Sequence, residues 1–307
     1  MSNTDAIQRL ATIVRHFTCA KQSTLEFETP PADAVYATMP PNQCYFPSSH
    51  FIKVPLISIK QATHNSSILQ FALPPNTSLN LTVSSCIMMQ ATHKDQAKPY
   101  NPISSNETLG SFSILVKHYT HGGTVSTFAK ALNIGETVGF CQFPGNIKPF
   151  RFPFRGTEKI TMLCVGTGIT PHYQALIALM RNTTANTPEV RLLYGNASVD
   201  DIMLFHELKE LAAGSNGKLR CTFVVGTDAT TNKDPPTQHN ESSIETGWVD
   251  KEKVARLGFS PEETNSIVWV CGTPLFYESM AGSRHSALTS ECVLSELGYQ
   301  ENQVWRS

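Results

Sequence analysis

A glycine-bearing turn between two apolar segments is the first stretch of this sequence whose residue types suggest chemistry. The stretch LCVGTGITPHYQALIAL runs from Leu163 to Leu179, and a mostly apolar segment, Ile160 to Val165, leads into its Gly-Thr-Gly-Ile-Thr-Pro turn. This order predicts a strand, a tight turn and a helix with proline in its first turn, where the missing N–H costs little. Free backbone N–H groups and the positive end of a helix dipole at such a turn suit a phosphate group.

Two further predicted strands end in residues suited to a dinucleotide. The first turn has the pattern G-x-G-x-x-P and not the G-x-G-x-x-G of the dinucleotide fingerprint. The strand in VWVCGTP ends at Cys271 and Gly272, and VVGTD places Asp228 beyond another strand. A carboxylate at that position accepts both hydroxyls of an adenine ribose and repels a 2′-phosphate. Three glycine-bearing strand ends on one sheet edge therefore predict a dinucleotide site, with a solvated loop carboxylate as the alternative for Asp228.

Basic and aromatic residues in the first half form a second candidate site. They lie in the stretches KPYNPISS and VKHYTHGGTVSTFA. Lys98, Lys117 and the backbone amides of Gly122 to Ser126, which open a short helix, are together suited to neutralising a pyrophosphate. Tyr100 and Tyr119 are suited to packing on aromatic rings. The structural alternative is exposed lysines and half-buried tyrosines.

The elements that position the second candidate site are predicted to be strands. From Phe51 the chain shows short β-rich runs broken by Pro, Asn and Gly: FIKVPLISIKQAT, SILQFALP, LTVSSCIMMQAT and GSFSILVKHY. Such strands predict an antiparallel barrel or sandwich. TVSTFAKAL has a brief helical pattern, and the strand TVGFCQF follows it. The proline-rich residues 29–50 are predicted to form an irregular linker.

The second half alternates strands and helices, which predicts a doubly wound parallel sheet with its ligands at the carboxyl ends of the strands. Helices are expected in DDIMLFHELKELAAG, in VDKEKVARLG and over Leu275 to Leu297. The predicted boundary lies in FRFPFRGTE. The expected organisation is an N-terminal extension over 1–50, an all-β domain over 51–155 and an α/β domain over 156–307.

Composition excludes several classes of protein. The 307 residues are 40% hydrophobic and carry 24 basic against 25 acidic side chains, a net charge of −1. That balance argues against a nucleic-acid-binding protein, which carries a large basic excess. The eight cysteines show no zinc-ligand spacing, and several lie in apolar runs, which favours reduced thiols, no metal site and an intracellular protein.

The first residues, MSNTDAIQRLATIVRHF, show an amphipathic helical pattern. We expect a helix packed on the domain, with a mitochondrial presequence or a peripheral membrane contact as alternatives. No segment has the roughly 20 apolar residues of a membrane span. The compartment, cytoplasmic or mitochondrial, stays open at this point.

Seven stretches in order carry a resemblance to a known family: KPYNPIS, HGGTVSTF, GTGITP, YGNASVDDIMLFHEL, VVGTD, VCGTPLF and LGYQENQVWRS. From Phe51 to the C-terminus the chain resembles the NADH–cytochrome b5 reductases, flavoproteins of the ferredoxin-reductase superfamily. The resemblance implies an all-β, Greek-key-like FAD-binding barrel followed by an NAD-binding domain. It further implies hydride transfer from NADH to FAD and single-electron transfer to a haem protein such as cytochrome b5.

The resemblance assigns FAD contacts in the first half. The family's Arg-x-Tyr-(Thr/Ser)-Pro motif holds the flavin pyrophosphate with its arginine, packs its tyrosine on the isoalloxazine and reaches flavin N5 with its hydroxyl. It corresponds here to Lys98, Tyr100, Asn101 and Pro102. A strand along the FAD corresponds to Val116, Lys117 and Tyr119. The family's pyrophosphate-binding Gly-Gly-Lys-Met-Ser corresponds to Gly122, Gly123, Thr124, Val125 and Ser126.

In the second half, the resemblance assigns the cleft between flavin and nicotinamide to Gly166, Thr167, Gly168 and Thr170. The family's Cys-Gly-Pro-Pro element borders the nicotinamide and corresponds to Cys271, Gly272 and Pro274. Asp228 corresponds to the acidic residue on the NADH ribose. Asn101, Thr170 and Cys271 are expected near the flavin or nicotinamide. No general acid, nucleophile or metal is expected, since the cofactors carry the reaction.

Several positions depart from the family pattern. Lys98 replaces a bidentate arginine by a point charge, Asn101 replaces Thr or Ser, and Thr124 replaces a lysine. Val165 stands where the family usually has a glycine, and Thr273 and Leu275 interrupt its proline run. These departures predict weaker FAD binding, a shifted flavin potential or, in the extreme, a non-catalytic interaction protein that has lost FAD. A separate alternative within the enzyme class is a reductase for an oxygenase or iron–sulfur partner.

Overall fold

The computed structural model describes residues 44–91, 96–119, 123–143, 152–226 and 242–307. The chain divides into two compact units, Met1–Lys148 and Pro149–Ser307. The predicted amphipathic helix at the N-terminus lies outside the described residues.

The first unit is built on an antiparallel six-stranded sheet of order β4-β3-β6-β1-β2-β5. This confirms the predicted antiparallel, β-rich class. The strands are β1 (Ile52–Thr63), β2 (Ser66–Ala72), β3 (Ile87–Ala91), β4 (Gln96–Tyr100), β5 (Ser111–Lys117) and β6 (Thr137–Gln142).

The two outer strands of this sheet approach each other without forming a continuous ladder. One isolated bridge joins Pro102, just after β4, to Ile114 on β5. The backbone N–H of Ile103 donates to the Ser113 carbonyl at 2.8 Å. Because proline has no N–H to donate, the pairing cannot extend regularly through Pro102. Within the described residues the sheet is therefore barrel-like but does not form the closed barrel that was predicted.

Aromatic rings fill the centre of this unit. Phe46, Phe71, Phe112 and Phe140 are fully buried, and their ring centroids lie 4.8 to 5.5 Å apart. Phe46 belongs to the stretch predicted as a linker, so part of that stretch contributes to the core. Helix α1 (Thr124–Ala131) packs Val125 and Ala129, one helical turn apart, into the same core.

The second unit is a parallel six-stranded sheet of order β10-β9-β8-β7-β11-β12, as predicted. Its strands are β7 (Lys159–Val165), β8 (Glu189–Asn196), β9 (Leu219–Val225), β10 (Ser242–Thr246), β11 (Ser266–Cys271) and β12 (Val304–Arg306). Its helices are α2 (Ile169–Met180), α3 (Phe205–Ala213), α4 (Lys251–Leu257), α5 (Pro274–Ala281) and α6 (Val293–Glu296).

Helices cover both faces of this sheet, which confirms the doubly wound architecture. On one face, Leu163 and Val270 pack with Val254 of α4 and Tyr277 of α5. On the other face, the ring of His172 in α2 lies 4.6 Å from that of Trp269. Phe205 of α3 also packs on Phe223 of β9 at 4.8 Å.

The structure differs from prediction in two helices and in both edge strands of this unit. The helix expected over Leu275 to Leu297 is two helices, because Gly282 has a φ of 76° that ends α5. Leu204, with a φ of 59°, likewise separates α3 from a short 3₁₀ turn, Val199–Asp201. The edge strands β10 and β12 are polar or only three residues long, so no periodic pattern reveals them. None of the helices formed by the described residues is long and apolar enough to cross a membrane.

Candidate functional site

The turn that follows β7 has the predicted order of strand, tight turn and helix. Gly166–Gly168 form one turn of 3₁₀ helix that runs directly into α2. Gly166 has a φ of 53°, a left-handed conformation that favours glycine. The Thr170 hydroxyl donates to the Thr167 carbonyl at 3.0 Å and fixes the start of α2. Thr170 is buried and Thr167 is half-buried.

Gly168 brings the two glycine motifs of this unit into direct contact. A Cβ atom built on Gly168 would collide with the Cys271 carbonyl oxygen and lie 2.7 Å from its carbonyl carbon. The same atom would lie 3.1 Å from the Cα of Gly272. Only glycine permits this approach of two backbones, so the turn after β7 and the end of β11 form one continuous surface.

The end of β11 is shaped by the residues that open α5. The Thr273 hydroxyl accepts a hydrogen bond from the Phe276 N–H at 3.3 Å, and Pro274 is the first helical residue. Such a cap and an N1 proline both favour a helix start at this position. Cys271 is half-buried and forms no disulfide. The predicted residues Cys271 and Gly272 therefore lie beside Gly168, and Pro274 follows them as the first residue of α5.

Further glycines lie at the same edge, at the ends of β8 and β9. Gly195 is the Cα partner of Val165. The Gly226 N–H donates to the Ala197 carbonyl at 3.1 Å. Asp228 lies outside the described residues, two positions beyond Gly226, and keeps its role as a prediction.

Trp248 is a candidate residue that the sequence analysis missed. It follows β10, where the Gly247 N–H donates to the Val225 carbonyl at 2.8 Å. Its side chain is 75% exposed, although an indole of this size is normally well buried. In the sequence, Trp248 is a lone tryptophan between Gly247 and Val249. Its place in a candidate site becomes recognisable only when β10 is known to end just before it. Trp248 thus offers a flat apolar surface at the carboxyl edge, beside the end of β9.

In the first unit, the structure brings Lys98 of β4 to the start of α1. The Lys98 Nζ lies 2.9 Å from the position of a Cβ atom built on Gly123, the N-cap of the helix. Gly122 lies outside the described residues. The two stretches predicted to hold a pyrophosphate, KPYNPISS and HGGTVSTF, therefore meet at this point.

The start of α1 has the charge distribution of an anion-binding site. No side chain caps the helix, and its first turn contains no acidic residue. Within the motif, the Ser126 hydroxyl donates to the Gly123 carbonyl at 2.9 Å, Thr124 is half-buried and Val125 is fully buried. A lysine ammonium beside the positive end of a helix dipole is repelled unless an anion lies between them. The arrangement fits a phosphate ligand.

The aromatic and basic side chains of these two stretches are partly accessible to solvent. Burial, with a contribution from nearby Tyr119, raises the pKa of Tyr100 to about 12. The Tyr119 ring is 56% exposed. Lys117 is half-buried at the end of β5, and its neighbour Val116 is buried in the core. Tyr100 is also half-buried, so both tyrosine rings have surface to offer an aromatic ligand.

Asn101 forms side-chain hydrogen bonds to the backbone that its position in the sequence did not reveal. Its Nδ2 donates to the Ser84 carbonyl at 3.1 Å and to the Ser85 carbonyl at 3.0 Å. Both amide hydrogens are thus used within the protein. Pro102, next in the motif, is buried at the bridge to β5. Asn101 therefore anchors the segment before β3 and does not simply replace the hydroxyl donor of the family motif.

The histidines near the candidate sites take part in packing and hydrogen bonding within the fold. His172 is fully buried against Trp269. The His118 Nε2 pairs with the Ser67 hydroxyl at 2.9 Å, and burial lowers the pKa of this histidine. Within the residues that the structure describes, no cluster of His, Cys, Asp or Glu is suited to hold a metal ion.

Comparison with known proteins defines the class of protein. A model of an oxidoreductase FAD-binding domain matches residues 53–170. A model of an oxidoreductase NAD-binding domain matches residues 162–281. Together with the two sheets and their glycine-bearing edges, these matches define a flavin-dependent pyridine-nucleotide oxidoreductase. They confirm the predicted cofactors, FAD and NADH.

Curated relatives identify the family. The chain is 31% identical over 274 residues to "NADH-cytochrome b5 reductase 2" of Kluyveromyces lactis, which covers 86% of each chain. It is 29% identical over 263 residues to the protein of the same name from Yarrowia lipolytica, covering 83% of this chain and 85% of that one. The chain belongs to the NADH–cytochrome b5 reductase family, as its seven motifs suggested.

A solved structure shows the same fold. The cytochrome b5 reductase domain of Ulva prolifera nitrate reductase aligns with a TM-score of 0.69 at 24% identity, over 86% of this chain and all of that one.

Proposed function

We propose that this protein passes hydride from NADH to FAD and then single electrons to a haem protein such as cytochrome b5. The observation that carries the proposal is the Lys98 ammonium beside the uncapped start of α1. This geometry supports retained FAD binding despite the departures at Lys98, Asn101 and Thr124. It argues against the alternative of an interaction protein that has lost its cofactor.

The residues of the first unit would hold FAD as follows. Lys98, Gly123 and the first N–H groups of α1 would neutralise the pyrophosphate, since charge and helix dipole act on the same anion. Tyr100 and Tyr119 would pack on the isoalloxazine. Val116 and Lys117 would line the strand that runs along it. FAD, when bound, supplies the chemistry of accepting a hydride and releasing electrons singly.

The carboxyl edge of the second unit would hold NADH. The turn from Gly166 to Thr170 offers backbone N–H groups to phosphate, and the joined surface at Gly168 and Cys271 borders the nicotinamide half. At the other end, Asp228 would bind the adenine ribose, and Trp248 would stack on the adenine. The residues of this edge bind and orient NADH, and none is required to move a proton.

The experiment that tests the proposal is an anaerobic visible spectrum of the purified protein, before and after addition of NADH. Flavin absorption bands that bleach with NADH are the expected result. A colourless protein that takes up no FAD on incubation would contradict the proposal and favour the non-catalytic alternative.

The electron acceptor is tested separately. We propose cytochrome b5 because two curated relatives of this chain carry it in their names. The NADH-reduced protein should reduce cytochrome b5 in stopped flow faster than it reduces a ferredoxin or an oxygenase iron–sulfur protein. The opposite order would favour the alternative of an oxygenase or iron–sulfur partner.

The cellular location is part of the proposal. The cysteines among the described residues form no disulfides, which favours an intracellular protein. We place it in the cytoplasm or mitochondrion, with a peripheral membrane contact of the N-terminal segment as the alternative to packing on the domain. Fluorescent tagging at the C-terminus tests the compartment.

Replacing Asp228 by serine is expected to relax the preference for NADH over NADPH. The carboxylate repels a 2′-phosphate, and serine removes that repulsion. We expect the ratio of kcat/KM for NADH to that for NADPH to fall by about tenfold. Steady-state kinetics with both nucleotides measures the ratio, and an unchanged ratio would remove Asp228 from the site.

A further inference from the structure

Val165 is the last residue of β7, and its isopropyl group lies between two glycines of the neighbouring strands. It is the Cα partner of Gly195 on β8. A Cβ atom built on Gly195 would lie 3.0 Å from the Val165 Cγ1, and one built on Gly272 would lie 2.7 Å from its Cγ2. Val165 therefore fills the gaps that glycine leaves on both sides at the carboxyl edge of the sheet.

Two further apolar side chains continue this surface. The Val249 Cγ2 lies 3.2 Å from the Cβ position of Gly195, and the Phe276 Cδ1 lies 2.7 Å from that of Gly272. Val249 is buried, whereas Val165 and Phe276 are partly exposed. We call Val165, Val249 and Phe276 the apolar strip. It carries no charge or hydrogen-bonding side chain, so it suits an uncharged ring or sugar face better than a pyrophosphate.

The order of strands indicates which half of the dinucleotide meets this strip. The proposed adenosine contact, Trp248, lies beyond β10 and beside the end of β9. Val165 lies on β7, two strands away from β9, which is roughly 10 Å at the usual spacing of neighbouring strands. A dinucleotide with its adenosine at β9 and β10 therefore brings its nicotinamide half to Val165.

We propose that Val165 sets the depth at which the nicotinamide half of NADH seats on the sheet edge, and thereby the affinity for the nucleotide. The inference rests on the NADH site proposed above. With glycine at position 165, no side chain would cover the end of β7 between β8 and β11, and the ligand could contact the backbone there. The isopropyl group instead holds the ligand away from the sheet by the thickness of its methyl groups. Val165 is thus a positioning residue in a place where the family pattern has no side chain.

The test is a graded series in the full-length, FAD-loaded protein: wild type, Val165→Ala and Val165→Ile. Isothermal titration calorimetry measures the Kd of NAD⁺ and, separately, of 5′-AMP, which lacks the nicotinamide half. We expect Val165→Ala to bind NAD⁺ about fivefold more tightly and Val165→Ile about tenfold more weakly. The Kd of 5′-AMP should stay the same in all three proteins.

A matched control removes the same atoms elsewhere. Val190 is buried at the amino end of β8, so Val190→Ala should lower the melting temperature and leave the Kd of NAD⁺ unchanged. A Kd of NAD⁺ that does not follow side-chain size overturns the inference. So does a Kd of 5′-AMP that changes in parallel with it. Failure of the wild type to bind NAD⁺ would instead contradict the proposed NADH site itself.

Discussion

Replacing Gly168 by alanine is expected to abolish NADH binding and to lower the free energy of unfolding by about 3 kcal/mol. The new methyl group would collide with the Cys271 carbonyl oxygen. Backbone atoms lie on both sides of this contact, so no flexible side chain can move aside. The turn after β7 and the end of β11 would be forced apart, and the surface proposed to hold NADH would be disrupted.

Urea unfolding and titration with NAD⁺ measure the two effects of this change. Gly214→Ala is the matched control, because the nearest atom to its Cβ position is the Glu210 carbonyl oxygen at an ordinary 3.4 Å. That variant should keep nearly the stability and affinity of the wild type. Wild-type NAD⁺ affinity in Gly168→Ala would show that the junction at Cys271 is not needed for binding.

Replacing Lys98 by methionine is expected to weaken FAD binding about 30-fold, the loss typical of one charge-assisted hydrogen bond. Methionine keeps the length of the side chain and removes its charge. The uncapped start of α1 would then face the pyrophosphate without a cation. Lys98→Arg should bind FAD at least as tightly as the wild type, because a guanidinium contacts phosphate in a bidentate manner.

Flavin fluorescence during titration of the apoprotein gives the Kd of FAD. The control is Lys130→Met, the same substitution at an exposed position in the last turn of α1. It should leave the Kd of FAD unchanged, since this lysine lies at the opposite end of the helix. Equal affinities in Lys98→Met and the wild type would exclude Lys98 from the pyrophosphate site and weaken the proposal of a retained flavin.

Much of the fold could be predicted from the sequence because its signals are local. The apolar run before Gly166 and the helical spacing after it specify a strand, a turn and a helix within a short stretch. The strict alternation of such units leaves few topologies other than a parallel, doubly wound sheet. The weak elements were missed for the same reason, since β10 and β12 owe their pairing to neighbouring strands and not to their own residues.

The composition of the candidate sites was also accessible from the sequence, because seven ordered stretches match one family. The resemblance identified both cofactors and nearly every residue named at the two sites. It did not reveal how the departing residues are used. Asn101 turned out to bind the carbonyl groups of Ser84 and Ser85, a contact between segments that no local pattern encodes.

The sequence by itself determined the class of fold, the family and the residue types at each site. Only the tertiary structure decided which of them meet: Lys98 with Gly123, Gly168 with Cys271, and Val165 with Gly195 and Gly272. The physical reason is that local conformation depends on neighbouring residues, whereas contact between distant segments depends on strand order, register and close packing. Trp248 shows the same division, because its exposure at the sheet edge follows from where β10 ends and not from the residues around it.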